Sequence, residues 1–471
     1  MPNFSLLSCP RPGIALTVAC ALLAPPALAD TPFAEPARPP AGEYDGPLFE
    51  LSYAYPTEAP APAGLFPWQE AIGGGQITVD NADMYADALK QAVSGDMSVL
   101  MYDYEAWDAA AMGWYNQPWL ATIRDGIHGT YQGSQFPPEM FPLSKLNATM
   151  TTHVAVYYDE RAAVSMGNVW GTSAMDPVPG LKAGDVQFAE GGLIVKPALT
   201  TASAAQWPPM EGAISWPIYA SPDGKAQATV FDAQFFQFDI VVKDTASAPK
   251  SQWVYMTLVY DKDAPGTTNW EKMVPLGVMW GNDPNVNSPM DCSYIPPDLT
   301  CPVLSETWIN PDAPLYAKET LGWGGRLSGP NDGAVDINAR VLQDDGTSVP
   351  YDGRYAMSSC MGCHGSAAFE MESFLLPSPA TCKNDSCAPT VVDGQLVYYP
   401  SGSPKYMAWF QDRPGYEPQV PGSIALDYGM NYAFKALPLW YNATSQGDAR
   451  LNFTREFNDY RGVSPDHLAG N

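Results

Sequence analysis

The chain has 471 residues, of which 24 are Lys or Arg and 51 are Asp or Glu, so its net charge is −27. An acidic surface of this kind excludes nucleic acid as a natural partner, because binding to phosphate groups needs basic surface. Hydrophobic residues at 46% exclude a mainly disordered chain. The 47 prolines and 40 glycines favour a loop-rich, mostly β fold over long uninterrupted helices.

The N-terminal segment has the features of a secretory signal peptide. An apolar stretch at 13–29 follows Arg11 and ends in Ala-Leu-Ala at 27–29, the small-x-small pattern of a cleavage site. The stretch is too short for a membrane-spanning helix and contains two adjacent prolines, so we predict a signal peptide at 1–29. A lipoprotein cleaved before Cys20 is a weaker alternative, because apolar sequence continues past that cysteine.

Cleavage after the signal peptide leaves 23 basic and 51 acidic residues, a net charge of −28. No later segment approaches the length of a membrane span, so we expect a mature chain without a transmembrane segment, exported to the periplasm or secreted.

A Pro- and Ala-rich segment at 30–75 is predicted to form an extended N-terminal arm. It precedes a β-rich body of unknown ligand at 76–345, which begins with an amphipathic helix at 81–94 that ends at Gly95. From about residue 150, apolar and polar residues alternate, which predicts strands. These strands are expected at 151–158, 230–242, 253–260 and 274–280. Short turns without intervening helices indicate an antiparallel β-sandwich-like body.

Other features of the body are weak candidates for a functional site. Residues 261–272 resemble the start of a calcium-binding loop, but Lys272 stands where that loop needs an acid, so a hairpin turn is predicted. His128 and His153 lie far from the C-terminal cysteines in sequence, and we expect structural roles for both. The tryptophans that we expect to anchor the core are Trp114, Trp119, Trp170, Trp280, Trp308 and Trp323.

Six cysteines remain after cleavage, and two of them belong to a haem-attachment motif. Cys360-Met361-Gly362-Cys363-His364 has the C-x-x-C-H spacing of c-type haem proteins. On one helical turn, the two thiols can each form a thioether with a porphyrin vinyl group, and His364 follows as the proximal iron ligand. A thioredoxin-like pair needs no histidine, and a zinc site needs a second ligand pair nearby. We therefore predict one covalently attached haem c.

The other four cysteines are expected to form two local disulfides in an oxidising compartment. Cys292 and Cys301 bracket one loop, and Cys382 and Cys387 bracket another. The sequence alone allows three pairings of four cysteines, so their connectivity stays open.

Residues 346–471 are predicted to form a small α-helical c-type cytochrome module. One helix is expected from Cys360 to about Met371, and a final helix at 423–437 stops at Pro438.

Several motifs resemble a known group of proteins. They lie at 253–255 (Trp-Val-Tyr), 274–283 (Val-Pro-Leu-Gly-Val-Met-Trp-Gly-Asn-Asp), 306–310 (Glu-Thr-Trp-Ile-Asn) and 322–327 (Gly-Trp-Gly-Gly-Arg-Leu), followed by the haem motif. Over residues 100–440 the chain is similar to secreted bacterial cytochrome c family proteins of unassigned activity. The resemblance implies haem binding through Cys360, Cys363 and His364, and electron transfer, without indicating a substrate.

A low-spin electron-transfer haem needs a sixth ligand, and a methionine thioether raises the haem potential relative to a second imidazole. In the small c-type cytochromes that this segment resembles, the methionine lies on a loop at the position of Met407, which is our predicted distal ligand. Met430 is the alternative, although it falls on the apolar stripe of the predicted final helix. Met371 follows His364 on the same helix and is poorly placed to reach the other haem face.

The leading functional hypothesis is a periplasmic monohaem cytochrome that passes electrons to or from a redox protein, which the charge predicts to be basic. One alternative is a haem-dependent oxidoreductase of peroxidase type with an open sixth iron position. Another is a binding module whose haem serves as the electron outlet. Oligomeric state is not indicated by the sequence.

Overall fold

The computed structural model describes residues 36–117, 124–170, 186–223, 226–287, 303–369, 379–381, 390–419 and 421–432. The predicted signal peptide, the four cysteines of the predicted disulfides, Trp119 and Met371 lie outside the described residues.

The described residues contain six α-helices, most of them short. They are α1 (Pro67–Ala71), α2 (Ala82–Tyr102), α3 (Glu160–Trp170), α4 (Leu315–Lys318), α5 (Cys360–His364) and α6 (Pro404–Met407), with 3-10 turns at Pro138–Met140, Pro208–Met210 and Trp323–Gly325. Four of the six α-helices have only four or five residues, whereas α2 has 21 and α3 has 11. Among the residues that the structure describes, none of the helices is long and apolar enough to cross a membrane.

The strands outnumber the helices and carry most of the fold. They are β1 (Trp114–Tyr115), β2 (Tyr131–Phe136), β3 (Met150–Val154), β4 (Tyr157–Asp159), β5 (Leu193–Thr200), β6 (Ser215–Ala220), β7 (Thr229–Lys243), β8 (Trp253–Tyr260), β9 (Met273–Met279), β10 (Thr307–Ile309), β11 (Val335–Asp336), β12 (Arg340–Leu342), β13 (Ser348–Pro350), β14 (Tyr355–Ala356), β15 (Ala368–Phe369), β16 (Val391–Val392), β17 (Gln395–Tyr398) and β18 (Ile424–Ala425). The predicted mostly β fold is confirmed.

Ten strands form one antiparallel sheet, in which β1-β4-β5-β7-β8-β9-β10 is the main path. The long strand β7 pairs with β5 along one edge and with β6 and β8 along the other. On the far edge of β5, both β3 and β4 pair with it. Because β5 and β7 each pair along both edges, all ten strands join one continuous sheet, whereas the predicted sandwich consists of two.

The predicted strands of the body are mostly confirmed. Strand β8 has the predicted bounds, β7 extends the prediction by one residue at each end, and β9 begins one residue early. The predicted strand at 151–158 is divided into β3 and β4. Helix α3 follows β4, so the expectation of strands without intervening helices is wrong.

Helix α2 is longer than predicted, because it continues through Gly95 to Tyr102. Three buried side chains of its last turns, Met97, Leu100 and Met101, continue the apolar stripe. A methyl group at Gly95 would meet nothing within 4 Å, so this glycine costs the helix only its weak propensity, about 1 kcal/mol.

The C-terminal α-helical module is not supported by the described residues. Helix α5 has five residues and α6 has four, and short strands lie between and around them. The helix expected to run to Met371 ends at His364, because Ala368–Phe369 pairs with Ile424–Ala425. That pairing also excludes a helix beginning at residue 423, while residues 433–437 of the predicted final helix lie outside the described residues.

A single hydrophobic core spans the sheet and the haem-motif region. Four of the predicted tryptophan anchors are buried in it, namely Trp114, Trp170, Trp280 and Trp323, while Trp308 is half-buried against it. The haem motif therefore packs on the same core as the large sheet.

Candidate haem site

The C-x-x-C-H motif forms a single helical turn, α5, with a well-defined start. Ser359 is the N-cap, and its hydroxyl oxygen accepts a hydrogen bond from Gly362 N at 3.0 Å. Such a cap satisfies one of the backbone N–H groups that a helix start leaves unpaired. The Cys360 N–H donates to the Leu327 carbonyl at 2.9 Å, which ties the turn to the preceding loop.

The segment at 322–327 is the loop on which α5 rests. Trp323 N donates to the Ser358 carbonyl at 2.9 Å. A Cβ atom at position 322 would collide with that same carbonyl, so only glycine permits this close approach of the two backbones. The Gly-Trp-Gly-Gly-Arg-Leu motif therefore acts as a support for the haem-attachment turn.

Arg326 joins this loop to a second motif. Its side chain is fully buried, and its guanidinium donates to four backbone carbonyls. The acceptors are Asn282 (2.7 Å), Trp323 (2.9 Å), Asp283 (2.8 Å) and Val286 (2.9 Å). Burial lowers the pKa of Arg326 to about 10, so the guanidinium stays charged at neutral pH. The planar fork of arginine suits several fixed acceptors at once.

A third motif completes the support. The Asp283 carboxylate accepts hydrogen bonds from Ser305 N at 2.6 Å and Glu306 N at 3.1 Å. Segments 282–283, 305–306 and 322–327 are therefore joined through Asp283 and Arg326, and the last of them contacts the start of α5. Sequence reasoning noticed these motifs only through resemblance and missed what they do.

Replacing Arg326 by methionine is expected to destabilise the protein strongly. The variant leaves the buried carbonyls that Arg326 serves without donors, which costs about 3–5 kcal/mol in the free energy of unfolding. Denaturant-induced unfolding measures the effect. The matched control is Arg38→Met, because Arg38 is exposed and its loss should change stability by less than about 0.5 kcal/mol. Equal stability of both variants would contradict the support role.

His364 is oriented by a backbone carbonyl. Its Nδ1 lies 2.9 Å from the carbonyl oxygen of Tyr428. A carbonyl only accepts hydrogen bonds, so Nδ1 carries the proton and Nε2 keeps its lone pair. Burial lowers the pKa of His364 to about 4, which leaves the imidazole neutral at physiological pH. A neutral imidazole whose second nitrogen donates to a carbonyl is the usual state of a metal-ligating histidine.

The two thiols of the motif are in different surroundings. Within the described residues, Cys360 and Cys363 are not joined in a disulfide. Cys360 Sγ lies 3.9 Å from Asp332 Oδ2, and burial together with this carboxylate raises the pKa of the Cys360 thiol. A thioredoxin-like pair needs a thiol with a lowered pKa, so these surroundings disfavour that alternative. Cys363 Sγ lies 3.7 Å from Met430 Sδ.

Both candidate methionines lie in segments that contact α5. Met407 ends α6, and the chain continues to Phe410, whose ring would lie 3.2 Å from a Cβ atom placed on Gly362. Met430 follows the turn that holds His364 and contacts Cys363. Each methionine is half-buried at the edge of the core.

A charged network lies beside Cys360 and was not found by sequence reasoning. Lys196 Nζ lies 3.0 Å from Asp239 and 3.2 Å from Asp332. Asp239 also accepts a hydrogen bond from Thr257 Oγ1 at 2.9 Å. Its residues come from β5, β7, β8 and the loop before β11, so only the tertiary fold brings them together.

His128, His153 and the calcium-like segment at 261–272 each have contacts that fit a structural role. His128 Nδ1 lies 2.8 Å from the Pro217 carbonyl, and its ring stacks on Trp216 at 4.3 Å. His153 is buried in β3, and burial lowers its pKa to about 3. The calcium-like segment joins β8 to β9 as the predicted hairpin, with Glu271 accepting the N–H of Thr268 at 2.9 Å.

Within the described ranges, no group of three or more His, Cys, Asp or Glu side chains is arranged to hold a metal ion. This finding does not bear on haem, whose porphyrin supplies four of the iron ligands itself. Compared with protein-family models, curated proteins and solved structures, the chain matches none of them.

Proposed function

We propose that this protein is an exported monohaem c-type cytochrome that transfers electrons outside the cytoplasm. The observation that supports it best is the contact of His364 Nδ1 with the Tyr428 carbonyl, made by the histidine of a C-x-x-C-H turn. This hydrogen bond selects the tautomer with Nε2 available for iron. In the proposal Cys360 and Cys363 hold haem c through thioethers, and His364 is the proximal ligand.

The residues around His364 suit a partly buried redox centre. The bound haem would supply one-electron exchange between ferric and ferrous iron. The Tyr255 ring lies 5.0 Å from the imidazole, between centroids, and Tyr255 is 5% exposed. Tyr428, 6% exposed, covers the imidazole at its Nδ1 side. The Tyr255 ring and the Tyr428 backbone therefore shield part of the imidazole, and the rest of the His364 side chain stays accessible to solvent.

The direct test is the spectrum of the purified, full-length protein. Haem should remain with the polypeptide after denaturation, and the oxidised protein should show the low-spin spectrum of a six-coordinate iron. A chain without covalent haem would contradict the proposal. Covalent haem with high-spin iron would contradict electron transfer as its main role and favour the oxidoreductase with an open sixth position.

The acidic charge predicts a salt-dependent electron-transfer rate with a basic partner. After the predicted cleavage, the net charge of −28 attracts a basic cytochrome over the Debye length, which falls from about 30 Å at 0.01 M salt to about 8 Å at 0.15 M. We expect the second-order rate measured by stopped flow to fall across this range. An acidic acceptor protein is the control, because screening of repulsion should make its rate rise. Electron-transfer rates that do not change with salt concentration would contradict this prediction and indicate that the acidic charge serves only solubility.

A further inference from the structure

The carbonyl that holds His364 belongs to a backbone turn of unfavourable conformation. Asp427 has φ 46° and Tyr428 has φ 64°, two successive residues with side chains in the left-handed region. That region is uncommon for residues other than glycine, and Asp and Asn tolerate it better than Tyr. Such a conformation persists only where the surrounding contacts hold it in place.

The Asp427 side chain provides those contacts. Its carboxylate is fully buried and forms an ion pair with Lys243 Nζ at 2.6 Å. It also accepts hydrogen bonds from Trp253 Nε1 and from Phe188 N, each at 2.8 Å. Lys243 ends β7 and Trp253 begins β8, so side chains from two neighbouring strands of the large sheet bind the Asp427 carboxylate.

The backbone of Asp427 adds a further hydrogen bond beside the ion pair. Asp427 N donates to the Gly415 carbonyl at 3.1 Å. A Cβ atom at position 415 would collide with the Asp427 carboxylate, so the two residues are packed directly against each other. The turn is therefore fixed by its side chain and its main chain together.

We propose that Asp427 is a positioning residue for the proximal haem ligand. It locks the left-handed turn and so aims the Tyr428 carbonyl at His364 Nδ1. This inference rests on the proposed function, since it concerns the histidine that would bind iron. The large sheet thereby determines the position of the carbonyl that accepts the hydrogen bond from His364. Among the hydrogen bonds of the described residues, the partner of Nδ1 is Tyr428 and not a residue of β7 or β8.

The hydrogen bond has a measurable consequence. Donation from Nδ1 to a carbonyl makes the imidazole a stronger electron donor to the metal. A stronger donor stabilises ferric iron over ferrous iron and lowers the reduction potential. Release of the turn should therefore raise the potential and expose the Nδ1 proton to exchange with solvent.

The test uses two double variants of the haem-loaded, full-length protein. Lys243→Met with Asp427→Ala removes the ion pair and the hydrogen bonds of the carboxylate. Lys243→Met with Asp427→Asn removes the same charges but keeps an acceptor oxygen for Trp253 and a residue that tolerates positive φ. Neither pair leaves an unpaired buried charge, which would confound the comparison.

We expect the alanine pair to shift the midpoint potential upward and to speed exchange of the His364 Nδ1 proton in NMR spectra. The asparagine pair should remain close to the unmodified protein in both measurements. If Asp427 only stabilised the fold, the alanine pair would lower the melting temperature but leave the midpoint potential and the Nδ1 proton exchange unchanged.

Gly415→Ala gives a second approach that keeps Asp427 and Lys243 and is independent of how well the alanine pair folds. The added methyl group displaces the carboxylate, so the same upward shift is expected. Variants that carry covalent haem with unchanged potential and proton exchange would overturn the role of Asp427 and leave the proposed function intact. An unmodified chain without covalent haem would overturn both.

Discussion

The variant that combines Cys360→Ala with Cys363→Ala is expected to lose all of its haem on denaturation, whereas the unmodified chain keeps it. Thioethers survive acid and organic solvent, but a haem held only by iron coordination is released when His364 loses its place. Haem-dependent peroxidase staining of denaturing gels, together with acid–acetone extraction, measures the difference. The expected change is from full retention to none.

The single variants are the matched controls. Cys360→Ala and Cys363→Ala each keep one thiol, so each should retain haem through one thioether and show a shifted absorption band. The anchor of α5 to Leu327 is made by the backbone of Cys360 and persists in every variant. Loss of haem therefore reports the missing bonds rather than a missing helix. Covalent haem in the double variant would show that the motif is not the attachment site.

The strands of the body were predictable because each lies within one continuous segment rich in β-branched and aromatic residues. Strand β8 is recognisable from eight consecutive residues, and β7 from thirteen. The haem motif was equally local, since C-x-x-C-H requires no information from the rest of the chain.

The C-terminal helices were mispredicted because tertiary contacts override local periodicity there. The apolar spacing of Leu426 and Met430 suits a helix, yet the ion pair of Asp427 with Lys243 holds the chain in a left-handed turn. Lys243 is 184 residues away in sequence, and no local pattern reports such a partner. The contacts of Arg326 with the carbonyls of residues 282, 283 and 286 could not be predicted for the same reason, because those residues are about 40 positions away in sequence.

Met407 and Met430 are the two candidates for the sixth iron ligand of the proposed cytochrome, and the contact of Met430 with Cys363 favours Met407. The Tyr428 carbonyl lies at the Nδ1 side of the imidazole, so Nε2 is the nitrogen that would bind the iron of a haem. Met430 follows Tyr428 by two residues, and its sulfur lies 3.7 Å from Cys363 Sγ, which favours a packing role beside the residue that would form a thioether. Met407 lies in a different segment: it ends α6, and Phe410, three residues further on, lies close to Gly362 of the motif.

Met407→Ala is therefore expected to erase the weak absorption band near ~700 nm that iron–thioether ligation gives in oxidised haem c. The iron should become high-spin and bind added imidazole, and the potential should change because the sixth ligand is gone. Met430→Ala is the matched control, since it removes a thioether of equal size from the same core and should leave the band in place. The reverse result, with the band lost only in Met430→Ala, would assign the distal position to Met430. A band that survives in both variants would exclude either methionine, because a thioether has to remain on iron to produce it.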